Sequence, residues 1–308
     1  MNIKTNIKKC KKIIKHLLPY WIVSLHDKFI EYNRIENKIR RYFCRIDKEE
    51  NDEEVKLVCD FFKKNQLTVS PYPYAFTENY NASDIIVYHD EICKMKYVIY
   101  RNKKCYFPRN WDYFMIQKYY NSLRIEQDIN SPHKYETESY TVKKGDVIAD
   151  VGAAEGIWAL TYAEEASEIY IFECDNLWEE PLCQTFLPWK DKVFLVKKFV
   201  SDRTESNIIS LDDYFKSTVV NFIKADIEGA EESMLIGAEK FLSRQADIKI
   251  VICTYHKQDD GKILKTELEN IGFETEYSKG YMFPIPYGET REPYMRRGLI
   301  RGMKSLNK

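Results

Sequence analysis

From Thr141 onward the chain alternates short apolar runs with stretches long enough to be helices. The runs fall at 147–151, 168–173, 193–200, 219–225 and 248–255. Apolar strands separated by crossover-length segments call for a parallel sheet covered by helices on both faces. The clearest crossover helix is expected from about Gly229 to Leu242, with Met234, Leu235, Ala238 and Phe241 on one side. Another is expected from Gly261 to Ile271. "GFETEYSKGYMFPIP" then reads as two strands joined at "SKG", an antiparallel pair closing an otherwise parallel sheet.

The preceding residues have a different texture. Up to about residue 70 they read as mainly helical, broken by "DKEENDEEV", and "SPYPYAF" ends any helix with two prolines. "KYVIYRNKKCYFP" predicts a β-hairpin turning at "RNKK". Trp111 to Ile129 returns to a helical pattern, and "SPHKY" is a rigid connector.

The 308 residues are enough for one full domain plus an extension. Their 47 basic and 48 acidic side chains nearly cancel, which argues against a general nucleic-acid binder. The eight cysteines form no CxxC pair and have no zinc-site spacing. No secretory leader is seen ahead of them, so reduced thiols in a cytoplasmic protein are expected. No apolar stretch approaches the roughly 20 residues of a membrane span. Between Met1 and Tyr20, six lysines and no acid interleave with Ile7, Ile13, Ile14, Leu17 and Leu18. This is either a solvated helix packed on its own domain or a basic helix lying on the inner face of a membrane.

"DVIADVGAAEGIWAL" breaks its apolar run with Gly152 and Gly156. Small residues after a strand let backbone approach a ligand, and free N–H groups at the next helix favour polar atoms. Seventeen residues past Gly156 the next strand ends in Glu173, placed to accept hydrogen bonds from ribose hydroxyls. "GAAEG" is not the dinucleotide fingerprint GxGxxG, and Glu155 would oppose a pyrophosphate. A sulfonium or a zwitterionic tail tolerates that carboxylate, which favours S-adenosylmethionine (SAM) over NAD. Asp150 either acts on that tail or caps the turn.

"FIKADIEGAEE" puts Lys224, Asp226 and Glu228 at another strand end, on the rim where ligands of α/β sheets bind. It lacks the Asn/Asp-Pro-Pro-aromatic run that grips a base, which argues against a base as substrate. Asp226 and Glu228 suit a divalent cation or a sugar hydroxyl, and equally suit capping of the next helix. His256 ends the following strand on the same rim and is a candidate base; a buried structural histidine is the alternative. His133 is a weaker candidate from the connector.

Together, "DVIADVGAAEG", the "IFE" strand tip, "ISLDDYF" and "NFIKADIEGAEESMLIGAEKFL" resemble the FkbM family of SAM-dependent methyltransferases, over about residues 141 to 285. The resemblance implies a class I, Rossmann-like α/β fold, SAM as cofactor and an O-methyl product. It implies Asp150, Gly152 and Gly156 in the cofactor loop, Glu173 on the ribose, Asp202 near the adenine, and Asp226 and Glu228 at the active-site edge. Ala154 stands where many such loops carry a middle glycine. The expected organisation is an acceptor-side cap over 1–135, the methyltransferase domain over 136–290 and a basic tail over 291–308. His256 would take the proton while Asp226 orients a hydroxyl of a sugar, a glycan (lipid-linked if the N-terminus touches membrane) or another small product. No metal ligand is assigned, although a divalent ion at Asp226 and Glu228 stays open. The rival readings are a non-catalytic glycan- or protein-binding module on the same fold and an NAD-dependent oxidoreductase.

Overall fold

The computed structural model describes residues 37–39, 41–43, 45–46, 52–64, 71–283 and 291–305. The lysine-rich stretch from Met1 to Tyr20 lies outside them. The described residues fall into two compact units divided near Val69, with Glu292–Tyr294 grouped with the first.

In the first unit, helix α1 (Glu53–Lys64) has Glu53 and Glu54 in its first turn and Lys63 and Lys64 in its last, as the helix dipole favours. Asp52 accepts the Glu54 N–H at its start (2.8 Å). Val55, Val58 and Cys59, spaced three and four apart, form its buried face.

The second unit begins with a three-stranded antiparallel sheet of β1 (Tyr88–His89), β2 (Lys96–Tyr100) and β3 (Lys103–Tyr106). Arg101 and Asn102 turn the β2–β3 hairpin with φ of 46° and 63°, the left-handed pair that matches strand twist. Helix α2 (Tyr113–Glu126) follows, capped by Asp112, whose carboxylate accepts the Met115 N–H. No boundary falls at 135. Val98, Cys105, Phe107 and Ile116 share one buried cluster with Ile148 and Ile169 of the larger sheet and with Trp158 and Leu160 of the helix that follows its first strand. The hairpin and α2 are therefore part of the α/β unit.

That sheet contains β4 (Val147–Val151), β5 (Glu168–Phe172), β6 (Val193–Val196), β9 (Phe222–Ala225), β10 (Ile248–Cys253), β11 (Glu274–Tyr277) and β12 (Leu299–Lys304). Its order is β11-β12-β10-β9-β4-β5-β6. The five strands expected from apolar runs pair in parallel, and β12 runs antiparallel to both neighbours. This is the sheet of a class I, Rossmann-like α/β fold. A minor parallel pair, β7 (Phe199–Val200) and β8 (Ile208–Ile209), flanks it. The connecting helices are α3 (Ile157–Thr161), α4 (Asn176–Thr185), α5 (Leu211–Tyr214), α6 (Glu231–Ile236), α7 (Glu239–Arg244) and α8 (Asp260–Asn270). On the second face Val151, Phe172, Phe215, Phe241, Leu264 and Ile300 pack together. Burying each such side chain contributes about 1.5–3 kcal/mol.

Two expectations are corrected here. The single helix from Gly229 to Leu242 is two helices, because Asp212 of α5 intervenes: its N–H donates to Gly237 O (2.8 Å) and its carboxylate caps α7 at the Phe241 N–H (2.6 Å). The second concerns the basic tail. Leu299–Lys304 enters the sheet as the partner of both β10 and β11, whereas Met282 makes only a single bridge, to Arg296. Charge misled because Arg301 is buried, its guanidinium donating to the carbonyls of Lys134 (2.6 Å) and Tyr135 (3.3 Å).

Candidate cofactor and active site

A cavity of about 490 Å³ opens at the carboxyl ends of β4, β5 and β9. Its walls are the loop after β4, the tip of β5, Phe199 and Val200 of β7, Asp226 to Glu228, and the face of α2 bearing Tyr119, Ser122, Leu123 and Glu126.

The loop is tight because β4 and β9 are adjacent and in register, with Asp150 opposite Lys224 and Val151 opposite Ala225. Gly152 adopts φ +74°, and a Cβ there would sit 1.9 Å from the Asp226 carbonyl oxygen. Only glycine fits. Its N–H donates to Phe172 O (2.8 Å). Ala154 is also left-handed, at φ 47°, which a small residue tolerates best. Its N–H donates to Glu173 Oε2 (2.8 Å), while Glu173 Oε1 accepts the Asp175 N–H (2.7 Å). Glu173 thus ties the loop to the tip of β5 and still lines the cavity. Gly156, at φ +75°, opens α3. Glu155 faces the cavity although its side chain is otherwise buried, and Tyr119 Oη donates to it (2.7 Å). Burial, opposed by that hydrogen bond, pushes its carboxyl up to about 7.

Two expected cofactor residues do not reach the cavity. Asp150 is fully buried beneath the loop, its Oδ1 3.0 Å from Lys224 Nζ. Strand register aims it at Lys224, so its carboxylate is paired within the sheet and stands off the cavity wall. Lys224 also donates to Gly152 O (2.6 Å) and does line the cavity. Burial pulls its pKa down, but Asp150 and Asp226 outweigh that and leave it raised. Asp202 lies in an exposed turn, accepting from Ser201 Oγ and Arg203 Nη1 (3.1 Å each), because the chain bends away after β7.

Asp226 is the meeting point of the acidic rim. Tyr135 Oη donates to its Oδ2 (3.1 Å) and Tyr255 Oη to its Oδ1 (3.3 Å). His256 Nε2 lies 3.4 Å from Oδ1, and His133 Nε2 lies 3.8 Å from Oδ2. Burial raises the Asp226 carboxyl, but Lys224, His133 and His256 outweigh it, and the carboxyl is held low. Glu228 has a mostly exposed side chain on a left-handed backbone (φ 55°), its Oε2 3.7 Å from His256 Nε2. His256 does not line the cavity. It stands behind Asp226, with Nδ1 3.0 Å from Glu231 Oε1. Burial lowers its pKa, but Glu231, Asp226 and Glu228 reverse the shift and raise it. His133 is fully buried behind Tyr135 and Tyr255.

Sequence reasoning brought Asp226, Glu228 and His256 to one place but gave no role to Glu231, Tyr135 or Tyr255. Glu231 had a signal: it lies in the same acidic run, in the first turn of the helix that follows Asp226. Its Oε1 accepts the Ile227 N–H (3.0 Å), which fixes it against the histidine. The tyrosines had no signal beyond being adjacent to His256 and close to His133.

Residues 187–275 match the model of the methyltransferase FkbM domain. Among solved structures the chain is similar to the FkbM methyltransferase of Methylobacillus flagellatus, at 17% identity and a TM-score of 0.43, over 62% of this chain and 53% of that one. It thus spans about half of that relative's length. It is also similar to precorrin-6y C5,15-methyltransferase of Geobacter metallireducens (14%, TM-score 0.38, 53% of this chain and 82% of that one). A third is a putative methyltransferase of Streptococcus mutans in complex with S-adenosylhomocysteine (12%, TM-score 0.38, 54% and 92%). No curated protein matches. The family that the sequence resembles, FkbM, is thus the family whose domain this chain matches, over residues 187–275.

Proposed function

We propose that this protein is a SAM-dependent methyltransferase acting on a hydroxyl group of a sugar, glycan or other small product. The observation that carries the reading is the charge of the cavity around a glycine-cradled loop. Glu126, Glu155, Glu173, Asp175, Asp226 and Glu228 line it against two lysines, Lys198 and Lys224. A dinucleotide pyrophosphate would be repelled there, whereas a cationic sulfonium with an ammonium tail is attracted. Glu173 would take the ribose hydroxyls, and the loop from Gly152 to Glu155 the amino-acid end. When bound, SAM would supply an electrophilic methyl group, its S–CH3 bond breaking to leave S-adenosylhomocysteine.

The chain's own task is alignment and proton removal. Asp226 would accept the hydroxyl proton of the acceptor as the new C–O bond forms. The methylated oxygen is strongly acidic at that moment, so a carboxylate held low is a sufficient base. His256, held by Glu231, would keep Asp226 ionised from behind until the proton is taken. Tyr135 and Tyr255, both bonded to Asp226, give the acceptor end aromatic walls that suit a sugar ring.

Isothermal titration of the full chain with SAM, S-adenosylhomocysteine and NADH tests the reading. Micromolar binding of the first two and none of the third is expected. Folded protein that binds neither sulfur compound would overturn it.

A further inference from the structure

Behind the cavity, three side chains from distant parts of the chain converge on one point. His133 Nε2 lies 3.4 Å from Cys253 Sγ and 3.8 Å from Asp226 Oδ2, and all three ligand atoms lie within 4.8 Å of one another. Bond lengths of about 2.3 Å to sulfur and 2.0–2.2 Å to nitrogen and oxygen put tetrahedral ligand atoms roughly 3.3–3.6 Å apart. The first separation fits, and the second is a little long. His133 and Cys253 are fully buried, so their places are fixed by packing.

The other nitrogen of the same imidazole provides an independent observation. His133 Nδ1 lies 3.3 Å from Glu126 Oε1. A carboxylate behind a histidine whose far nitrogen faces a thiol and a second carboxylate is the arrangement that orients metal-binding histidines.

We propose that His133 Nε2, Cys253 Sγ and Asp226 Oδ2 form a three-ligand site for a divalent cation of the zinc class, with Glu126 as the positioning residue. The mixed nitrogen, sulfur and oxygen set selects a borderline-soft ion over magnesium or calcium. On binding, the Cys253 thiol gives its proton to solvent, and thiolate plus carboxylate balance the two positive charges. Of the three ligands only Asp226 lines the cavity; His133 and Cys253 lie behind it, so the ion would sit at the back of the site against the Asp226 carboxylate. The neighbouring group Asp226–Glu231–His256 is not equivalent: Glu231 faces Nδ1 and Asp226 faces Nε2, and one ion cannot meet both nitrogens of a ring. The site goes beyond the methyl-transfer reading and does not depend on it.

Cobalt(II) is the probe. The full chain, stripped with a chelator, is titrated and read by absorption. The expected result is one equivalent giving a thiolate-to-cobalt charge-transfer band with tetrahedral d–d bands. The charge-transfer band should vanish in Cys253→Ser, and the d–d bands should change in His133→Gln. Glu126→Gln keeps every ligand and should weaken cobalt binding by about 10–100-fold. A wild-type titration without a thiolate band, or a band that survives Cys253→Ser, overturns the proposal whatever the stability of the variants. S-adenosylhomocysteine titrated into the same stripped sample reads the cofactor site separately.

Discussion

Lys224 Nζ lies 3.0 Å from Asp150 Oδ1, a buried ion pair across the adjacent ends of β9 and β4. Breaking such a pair strands the remaining charge. Lys224→Met should destabilise by about 3–5 kcal/mol, and adding Asp150→Asn should recover much of the loss. Denaturant unfolding of the two variants and the wild type checks this. A double variant no more stable than the single one would show that the pair is not the cause.

The two loop glycines should respond unequally. A Cβ at Gly152 meets backbone, 1.9 Å from Asp226 O, which cannot yield. At Gly156 it meets the Leu182 and Phe186 side chains at 2.7 and 2.9 Å, which are buried and yield only by local repacking. Gly156→Ala should therefore cost the roughly 1–2 kcal/mol of left-handed backbone plus about 1–3 kcal/mol of core overpacking. Gly152→Ala should cost clearly more and abolish ligand binding. Thermal melts and S-adenosylhomocysteine titration of both variants measure the difference.

Glu155 makes stability depend on pH. Its folded pKa of about 7 exceeds the ordinary 4.5, so the protonated form is favoured by folding. Its contribution to stability is full below about 4.5 and is lost as pH rises through about 7, a swing of about 3 kcal/mol. Glu155→Gln should remove that dependence and stabilise the ligand-free protein at pH 8 relative to wild type. A cationic ligand prefers the ionised carboxylate, so the same variant should bind SAM more weakly. Unfolding at pH 5.5 and pH 8, with titration at each, tests both statements.

Asp226→Asn should lower methyl transfer by about 10²–10⁴-fold while SAM affinity changes only a few-fold, because the carboxylate meets the acceptor end of the cavity. Glu173→Gln should do the reverse, weakening SAM binding with a smaller effect on turnover at saturation. Turnover on an accepted sugar or glycan, set beside calorimetric affinity, separates the two.

The parts of the molecule legible in the sequence are those whose cause is local. Val147–Val151 followed by Gly152 is a strand and a turn whatever surrounds it, and the hairpin turn at Arg101 and Asn102 likewise announces itself. Asp226, Glu228 and His256 were found because strand ends share one rim. What stayed hidden depends on pairing across the sheet. Asp150 looks like a ligand-binding acid until its register opposite Lys224 is known. Cys253 and His133 are separated by 120 positions, and no spacing rule joins them. Arg301 reads as a tail residue because its hydrogen-bond partners are carbonyls, which leave no trace in composition.

The position of β12 also governs the order in which this molecule can be completed during synthesis. Once Ile248–Cys253 is made, one of its edges stays bare until Leu299–Lys304 has followed, some fifty residues later. An unpaired apolar strand edge is a template for wrong partners. The nascent chain must therefore carry that edge through the making of α8, β11 and the segment beyond before its own strand arrives to cover it. Any shortening that removes β12 would make that interval permanent.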